Sequence, residues 1–124
     1  MRQISINRRS NRILYNVTVS LEASIFPEWL TFMRDDHIPK IFATGCFSGY
    51  KICRIVDEST ENFSVAVQYF AVDEEKFKTY TAQYAPALQK EYVARFGSSA
   101  PAFRTVLHAL EEGEVVSELE PSKN

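Results

Sequence analysis

Two hydrophobic periodicities follow one another along this chain, and their order most narrows the folds that it can adopt. Apolar and polar residues alternate from Ile13 to Leu21, which is the pattern of a half-buried β-strand. Around Trp29 the apolar spacing changes to three and four residues, which indicates a helix packed on a core. The two patterns then recur, in the order strand, strand, helix, strand, at about 47–56, 63–69, 73–96 and 102–110.

The order strand, helix, strand, strand, helix, strand is the split βαβ of ferredoxin-like domains. We therefore predict an α+β fold with a four-stranded antiparallel sheet and two helices on one of its faces. Right-handed crossovers place the first and third strands at the centre, where we expect them to be parallel. The other face then mixes polar and apolar side chains, and a second copy of the chain would cover it. On the central strands these side chains are Asn16, Thr18, Gln68 and Phe70.

The first predicted helix carries a histidine on its apolar stripe. Trp29 and His37 lie two turns apart on this stripe, so the imidazole should face the interior. Pro39 disfavours helical geometry at Ile38, and we expect the helix to end or kink there. The second predicted helix has a buried face made of Phe77, Tyr80, Tyr84, Leu88, Tyr92 and Phe96. Pro86 similarly predicts a kink or a split in this helix. His37 is then either a core group with a satisfied hydrogen bond or a residue that lines a ligand pocket.

Composition narrows the class of protein. A chain of 124 residues with 45% hydrophobic content predicts one globular domain. No apolar run approaches the roughly 20 residues that span a bilayer, so we predict a cytoplasmic protein without a membrane segment. Cys46 and Cys53 are too few for a disulfide framework and are expected to be reduced packing residues. With His37 and His108 as the only histidines and no phosphate-binding or dinucleotide-binding glycine loop, we predict neither a metal nor a cofactor.

The two ends of the chain carry opposite charge. Four arginines lie in the first twelve residues and five glutamates in the last fourteen. Because neither end has sustained periodicity, we predict a flexible basic arm at 1–12, a folded domain at 13–110 and a flexible acidic tail at 111–124. The folded domain carries nine Lys and Arg against eleven Asp and Glu, which is not the charge of a nucleic-acid-binding surface.

Short blocks of sequence in the predicted order add a resemblance. They are ILYNVTV at 13–19, EWL at 28–30, HIP at 37–39, ATG at 43–45, VQY at 67–69, AP at 85–86, RFG at 95–97 and AFRT at 102–105. Together they resemble a bacterial family of unknown function, number 4286, over essentially residues 13–110. The resemblance implies a dimeric α+β barrel, in which two ferredoxin-like sheets pack face to face and pockets lie between each sheet and its helices. The wider group includes cofactor-free monooxygenases, haem-degrading enzymes and lactone isomerases, so the fold does not select an activity.

The combined prediction is a homodimer, formed through the sheet face, that binds an unidentified small molecule and acts as a cofactor-free monooxygenase or isomerase. His37 is the candidate catalytic residue. The candidate ligand-binding residues are Tyr15, Asn16, Trp29, Gln68, Tyr84 and Arg104. Each also fits a structural role, as a core aromatic residue, a group facing a partner sheet or the partner of a carboxylate. The alternative function is a non-catalytic interaction or regulatory module, which a dry core around His37 would favour over a ligand-sized pocket.

Overall fold

The computed structural model describes residues 3–56 and 63–119 of the chain. The described residues form six strands, which are β1 (Gln3–Arg9), β2 (Ile13–Leu21), β3 (Phe47–Ile55), β4 (Phe63–Ala71), β5 (Ala102–His108) and β6 (Glu112–Leu119). They also form two helices, each with a π-helical turn between two α-helical parts. The first comprises α1 (Phe26–Phe32), π1 (Met33–His37) and α2 (Ile38–Ala43), and the second comprises α3 (Glu74–Thr79), π2 (Tyr80–Tyr84) and α4 (Ala85–Phe96). None of the helices in this part of the chain is long and apolar enough to cross a membrane.

Four of the strands form one antiparallel sheet in the order β3-β4-β2-β5, which confirms the predicted ferredoxin-like α+β fold. The central strands are β2 and β4, the first and third of the predicted set. They pair antiparallel, with Val17 opposite Val67, and the prediction that they run parallel is wrong. The first helix connects β2 to β3 with β4 between them, so β2 and β3 are the parallel strands. The predicted turn at 57–62 lies outside the described residues.

One face of this sheet packs against both helices and forms the core. Tyr15 on β2 and Tyr69 on β4 are buried there, opposite each other in the register. Trp29 and Tyr92 connect the two helices. The Nε1 group of Trp29 donates a hydrogen bond to the Tyr92 hydroxyl at 3.0 Å, and this hydroxyl donates to the carbonyl of Ala100 at 2.7 Å. These buried polar groups therefore satisfy one another, as burial requires.

A proline follows each π-helical turn at the same position. Pro39 is the second residue of α2, and Pro86 is the second residue of α4. In a regular α-helix the proline ring clashes with the carbonyl four residues earlier. Those carbonyls belong to Asp35 and Ala82, and both lie inside the π-turns. We attribute the π-turns to this clash, so the predicted interruptions near Pro39 and Pro86 take the form of a widened turn rather than a helix end.

The π-turns also change the spacing of the buried residues. The N–H of Ala85 donates to the carbonyl of Tyr80, five residues earlier. Tyr80 and Ala85 are consequently buried on one face, whereas Tyr84 is turned outward and is 38% exposed. The predicted place of Tyr84 on the buried face rests on an α-helical spacing, and it is wrong because the spacing here is π-helical.

The strands β1 and β6 pair antiparallel with each other in a separate two-stranded sheet, the ribbon. The ribbon continues the β2–β5 pair, because the Asn11 N–H donates to the Ala109 carbonyl at 2.9 Å and the Ala109 N–H donates to the Arg12 carbonyl at 2.8 Å. At its base the guanidinium of Arg12 donates from Nε and Nη2 to the carboxylate of Glu112 at 3.0 and 2.7 Å. Such a bidentate contact fixes geometry as well as charge.

The predicted flexible arms at 1–12 and 111–124 contain these two paired strands. Every side chain of β1 is exposed, so no buried face imposes a hydrophobic alternation on its sequence. The ribbon is held instead by backbone pairing and by opposite charges, including Arg8 and Glu111 at 3.8 Å. Residues 1–2 and 120–124 lie outside the described residues.

The second face of the four-stranded sheet, the open sheet face, is not covered by either helix. Its central residues are Leu14, Asn16, Thr18, Ala66, Gln68 and Phe70, and β5 adds Phe103, Thr105 and Leu107. Phe103 is 71% exposed, and Cys53 is also exposed on this face. Cys46 is buried as expected, but Cys53 is not a packing residue within the monomer.

Candidate functional site

A small cavity lies between the helix-facing side of the sheet and the two helices. It leaves about 20 Å³ for the centres of water-sized molecules, which is room for about one water. Its polar lining consists of Tyr15, His37, Tyr69, Tyr80, Gln89, Tyr92 and Arg104. Both π-turns border it, since His37 ends π1 and Tyr80 begins π2. This space, called the cavity below, is the candidate functional site.

His37 is held in the cavity by aromatic packing. Its ring centroid lies 5.7 Å from that of Phe32 and 5.6 Å from that of Tyr92, and the residue is 9% exposed. Burial lowers the pKa of His37 to about 4, because the charged imidazolium loses its hydration, and the nearby carboxylates of Glu91 and Asp36 oppose this only in part. The imidazole is therefore neutral at physiological pH. A neutral imidazole offers one donor and one acceptor to a molecule in the cavity.

Arg104 is the charged group of the cavity. It lies on β5 opposite Val17 and so faces the helices. Burial raises the pKa of Tyr15, Tyr69, Tyr80 and Tyr92, and the positive charge of Arg104 opposes this only in part. The guanidinium shares the cavity with these four un-ionised phenols. None of the ion pairs between described residues includes Arg104.

Gln89 completes the polar side of the cavity. This residue of α4 donates from its side-chain amide to the Tyr15 hydroxyl at 3.3 Å. The Tyr15 hydroxyl proton remains able to donate to another acceptor. Gln89 and Arg104 are both half-buried, whereas Tyr69 and Tyr80 are fully buried, so the cavity approaches solvent between α4 and β5.

The predicted site residues fall into three groups. Tyr15, His37 and Arg104 line the cavity together. Trp29 is buried in the core behind Tyr92 and does not line it, and Tyr84 lines a shallow surface hollow beside Ala87 and Lys40 instead. Asn16 and Gln68 lie opposite each other on the open sheet face, on the other side of the sheet from the cavity.

Four polar residues of the cavity were absent from the predicted set: Tyr69, Tyr80, Gln89 and Tyr92. The sequence signal for Tyr69 was its place on the helix-facing side of a central strand. Tyr80 and Tyr92 belong to the predicted buried stripe of the second helix. Gln89 had no such signal, because it follows the buried Leu88 by one residue and reaches the cavity only from its rim.

The cavity is suited to hydrogen bonding and to charge stabilisation. It combines a neutral imidazole, four phenols, an amide and one guanidinium in an enclosed space. Among residues 3–56 and 63–119, no cluster of three or more His, Cys, Asp or Glu side chains could hold a metal ion. An imidazole, phenols and a guanidinium can transfer protons and stabilise negative charge.

Solved structures that resemble this chain share its fold at low sequence identity. An ethyl tert-butyl ether (ethd) family protein from Bacillus halodurans superposes with a TM-score of 0.59 at 12% identity, over 79% of this chain and 99% of that one. SnoaB, a cofactor-independent oxygenase from Streptomyces nogalater, gives 0.55 at 13% identity, over 81% and 94%. A dimeric ferredoxin-like protein from an uncultured marine organism gives 0.54 at 11% identity, over 80% and 95%.

These likenesses establish the fold and not an activity. No curated protein matches the sequence. The model of one protein family, described as Domain of unknown function (DUF4286), matches residues 12–110, which is the ferredoxin-like part of the chain without the ribbon. By that match, and in agreement with the resemblance in its sequence blocks, the chain belongs to the family DUF4286.

Proposed function

We propose that this protein binds a small molecule in the cavity and functions as a homodimer that pairs through the open sheet face. The observation that carries the proposal is the convergence of His37, Tyr15 and Arg104 on one enclosed space. Arg104 forms no ion pair with another described residue. Polar groups that converge on a cavity are the usual arrangement of a binding site.

The reaction that these groups support best is proton abstraction without a cofactor, as in an oxygenase or an isomerase. The neutral imidazole of His37 is the candidate base, and Arg104 and the Tyr15 hydroxyl are candidates to stabilise the anion that proton removal would create. The cofactor-independent oxygenase among the structural neighbours is a fold-level analogy only. We further propose a cytoplasmic location, which the two free cysteines support.

The size of the cavity favours a second candidate, a non-catalytic interaction or regulatory module. The space of about 20 Å³ is far below the roughly 300–1,000 Å³ of typical ligand pockets. A substrate would therefore require the helices to move away from the sheet, whereas a structural water would fit without movement. The two candidates differ in whether any small molecule stabilises the folded protein.

A metabolite screen by thermal shift separates the two candidates. Ligand that binds only the folded state raises the melting temperature, by an amount that grows with the logarithm of the ligand concentration above its Kd. Each hit is retested on His37→Gln and, as a matched control, on His108→Gln, which changes the other histidine outside the cavity. We expect hits to be lost in the first variant and kept in the second. Absence of any hit from a broad screen would instead support the non-catalytic module.

A further inference from the structure

Arg104 has a positive charge that no group of the described residues neutralises. The carboxylate that raises the pKa of His37 most is that of Glu91, and this carboxylate pairs with Lys40 at 2.9 Å. Glu112 pairs with Arg12 at the base of the ribbon. Arg104 is half-buried on the solvent side of the cavity, so its charge is accessible to a molecule that enters there.

A second copy of the chain would not supply the missing charge. The proposed dimer pairs through the open sheet face, and Arg104 lies on the opposite, helix-facing side of β5. The neighbours of Arg104 in the cavity are tyrosine hydroxyls, a neutral imidazole and the Gln89 amide, none of which carries negative charge at physiological pH. Among the described residues none that lines the cavity supplies a negative charge, and an anion that enters from solution would supply one.

We infer that the ligand of this cavity is a carboxylic acid in its ionised form, with its carboxylate bound by Arg104 and the Tyr15 hydroxyl. This inference rests on the function proposed above and names the class of its ligand. A planar guanidinium donates two parallel hydrogen bonds to a carboxylate, and a phenol can donate a third. The enclosed space itself holds only about one water, so the carboxylate would bind on its solvent side, where Arg104 lies, with the rest of the molecule directed towards solvent between α4 and β5.

The test compares carboxylates with neutral molecules of the same shape. Acetate, propionate and benzoate are titrated against acetamide, propionamide and benzamide, with sodium chloride holding ionic strength constant. The readouts are the melting temperature and the ring C2–H resonance of His37 in proton NMR. Only His37 and His108 give such resonances, and the His37→Gln spectrum assigns them. We expect at least one carboxylate to raise the melting temperature and to shift the His37 resonance, while its amide does neither.

Variants at two arginines test the role assigned to Arg104. Arg104→Met removes the charge in the cavity, and Arg34→Met removes the same charge from an exposed position on π1. We expect Arg104→Met to weaken carboxylate binding by roughly 10- to 100-fold, the loss of a charge-assisted hydrogen bond, and Arg34→Met to leave it unchanged. Because Arg104 takes part in no ion pair among the described residues, we expect Arg104→Met to fold and to melt near the wild-type temperature in the absence of ligand.

The outcomes distinguish this inference from the proposed function. Equal binding of carboxylates and amides by the wild-type protein, or unchanged carboxylate binding in Arg104→Met, would overturn the assignment of a carboxylate and leave the small-molecule site standing. Failure of every probe to move the His37 resonance would count against both. The wild-type comparison does not depend on the variants, so it decides the question even if Arg104→Met is unstable.

Discussion

The charge state of His37 couples the cavity to pH. In the unfolded chain this imidazole binds a proton near its ordinary pKa of 6.5, whereas burial lowers the pKa to about 4 in the folded protein. Between these values the unfolded state holds more protons than the folded state, so the free energy of unfolding decreases as pH falls. The contribution of His37 to the free energy of unfolding is fully present above pH 6.5 and is lost as pH falls towards 4. This contribution is about 3 kcal/mol.

We expect the wild-type protein to lose about 3 kcal/mol more stability than His37→Gln when the pH falls from 7 to 4. Urea unfolding at a series of pH values measures this difference, and taking the difference removes the contribution that the carboxylates make to both proteins. His108→Gln is the control and should follow the wild type. Parallel pH curves for the wild type and His37→Gln would show that the imidazole is hydrated in the folded state.

Three of the seven predicted site residues reach the cavity, and the reasons differ. His37 was predictable because it follows the apolar stripe of Trp29 and Met33, and the structure buries it together with the next residue, Ile38. Tyr15 and Arg104 follow from strand alternation, which fixes the face that each side chain occupies. The lack of a carboxylate partner for Arg104 was not predictable, because it depends on where residues distant in sequence come to lie.

At the scale of the helix, each π-turn contains one residue more than an α-helix needs. The buried residues of the second helix around π2 are Phe77, Tyr80, Ala85, Leu88 and Tyr92. Removing one exposed residue between Tyr80 and Ala85 would restore a spacing of three and four throughout. The proline ring would then meet the carbonyl four residues earlier in a regular α-helix, which costs roughly 3 kcal/mol.

Deletion of Gln83 tests this explanation of the π-turn. We expect deletion of Gln83 alone to destabilise the protein by about 3 kcal/mol, and the combination with Pro86→Ala to recover most of that loss. Pro86→Ala in the full-length chain is the control for the effect of the substitution itself. Equal destabilisation of the single and combined variants in urea unfolding would mean that the extra residue, and not the proline, determines the π-turn.

The sequence could not locate these turns. Tyr84 has the residue type and α-helical spacing of a buried position. Pro86 predicts that the helix is interrupted, but it does not predict which kind of interruption occurs. A kink, a helix end and a π-turn all relieve the same clash. Which of them occurs depends on the packing of Tyr80 and Ala85 against the sheet, which is a tertiary property.

At the scale of the whole molecule, the open sheet face predicts the oligomeric state. Light scattering should give twice the chain mass of 14.2 kDa. Phe103→Lys places a charge at an exposed position of this face, and we expect it to give a monomer with its core intact, because two such charges would meet across the interface. Val93→Lys, at an exposed position of α4, is the matched control and should remain dimeric. A wild-type monomer at high concentration would contradict the barrel arrangement.

The ribbon gives a second prediction at this scale. Every side chain of β1 is exposed, and an isolated two-stranded pair is only marginally stable. A chain limited to residues 12–112, which keeps the contact between Arg12 and Glu112, should therefore melt within a few degrees of the full chain. A substantially larger loss would show that the ribbon packs on another surface, for which the partner subunit is the candidate.

The fold was predictable from periodicity, and the ribbon was not. Residues 13–110 alternate or repeat because each element has a buried face, and that burial leaves its pattern in the sequence. The ribbon buries no side chain of β1, so its pairing has no comparable pattern. The sequence does show that the two ends carry opposite charge. Arg12 and Glu112, which form a bidentate contact, belong to these two ends.

The ribbon also determines an order of events in folding. It joins Gln3 to Leu119, partners from opposite ends of the described chain, and closing so long a loop in one step is entropically costly. Once β2 and β5 are neighbours, Arg12 and Glu112 are already adjacent, and the ribbon can close residue by residue from this base towards Gln3. The ribbon should thus form last and open first, so amide exchange in β1 reports the final step of folding while the sheet below it remains protected.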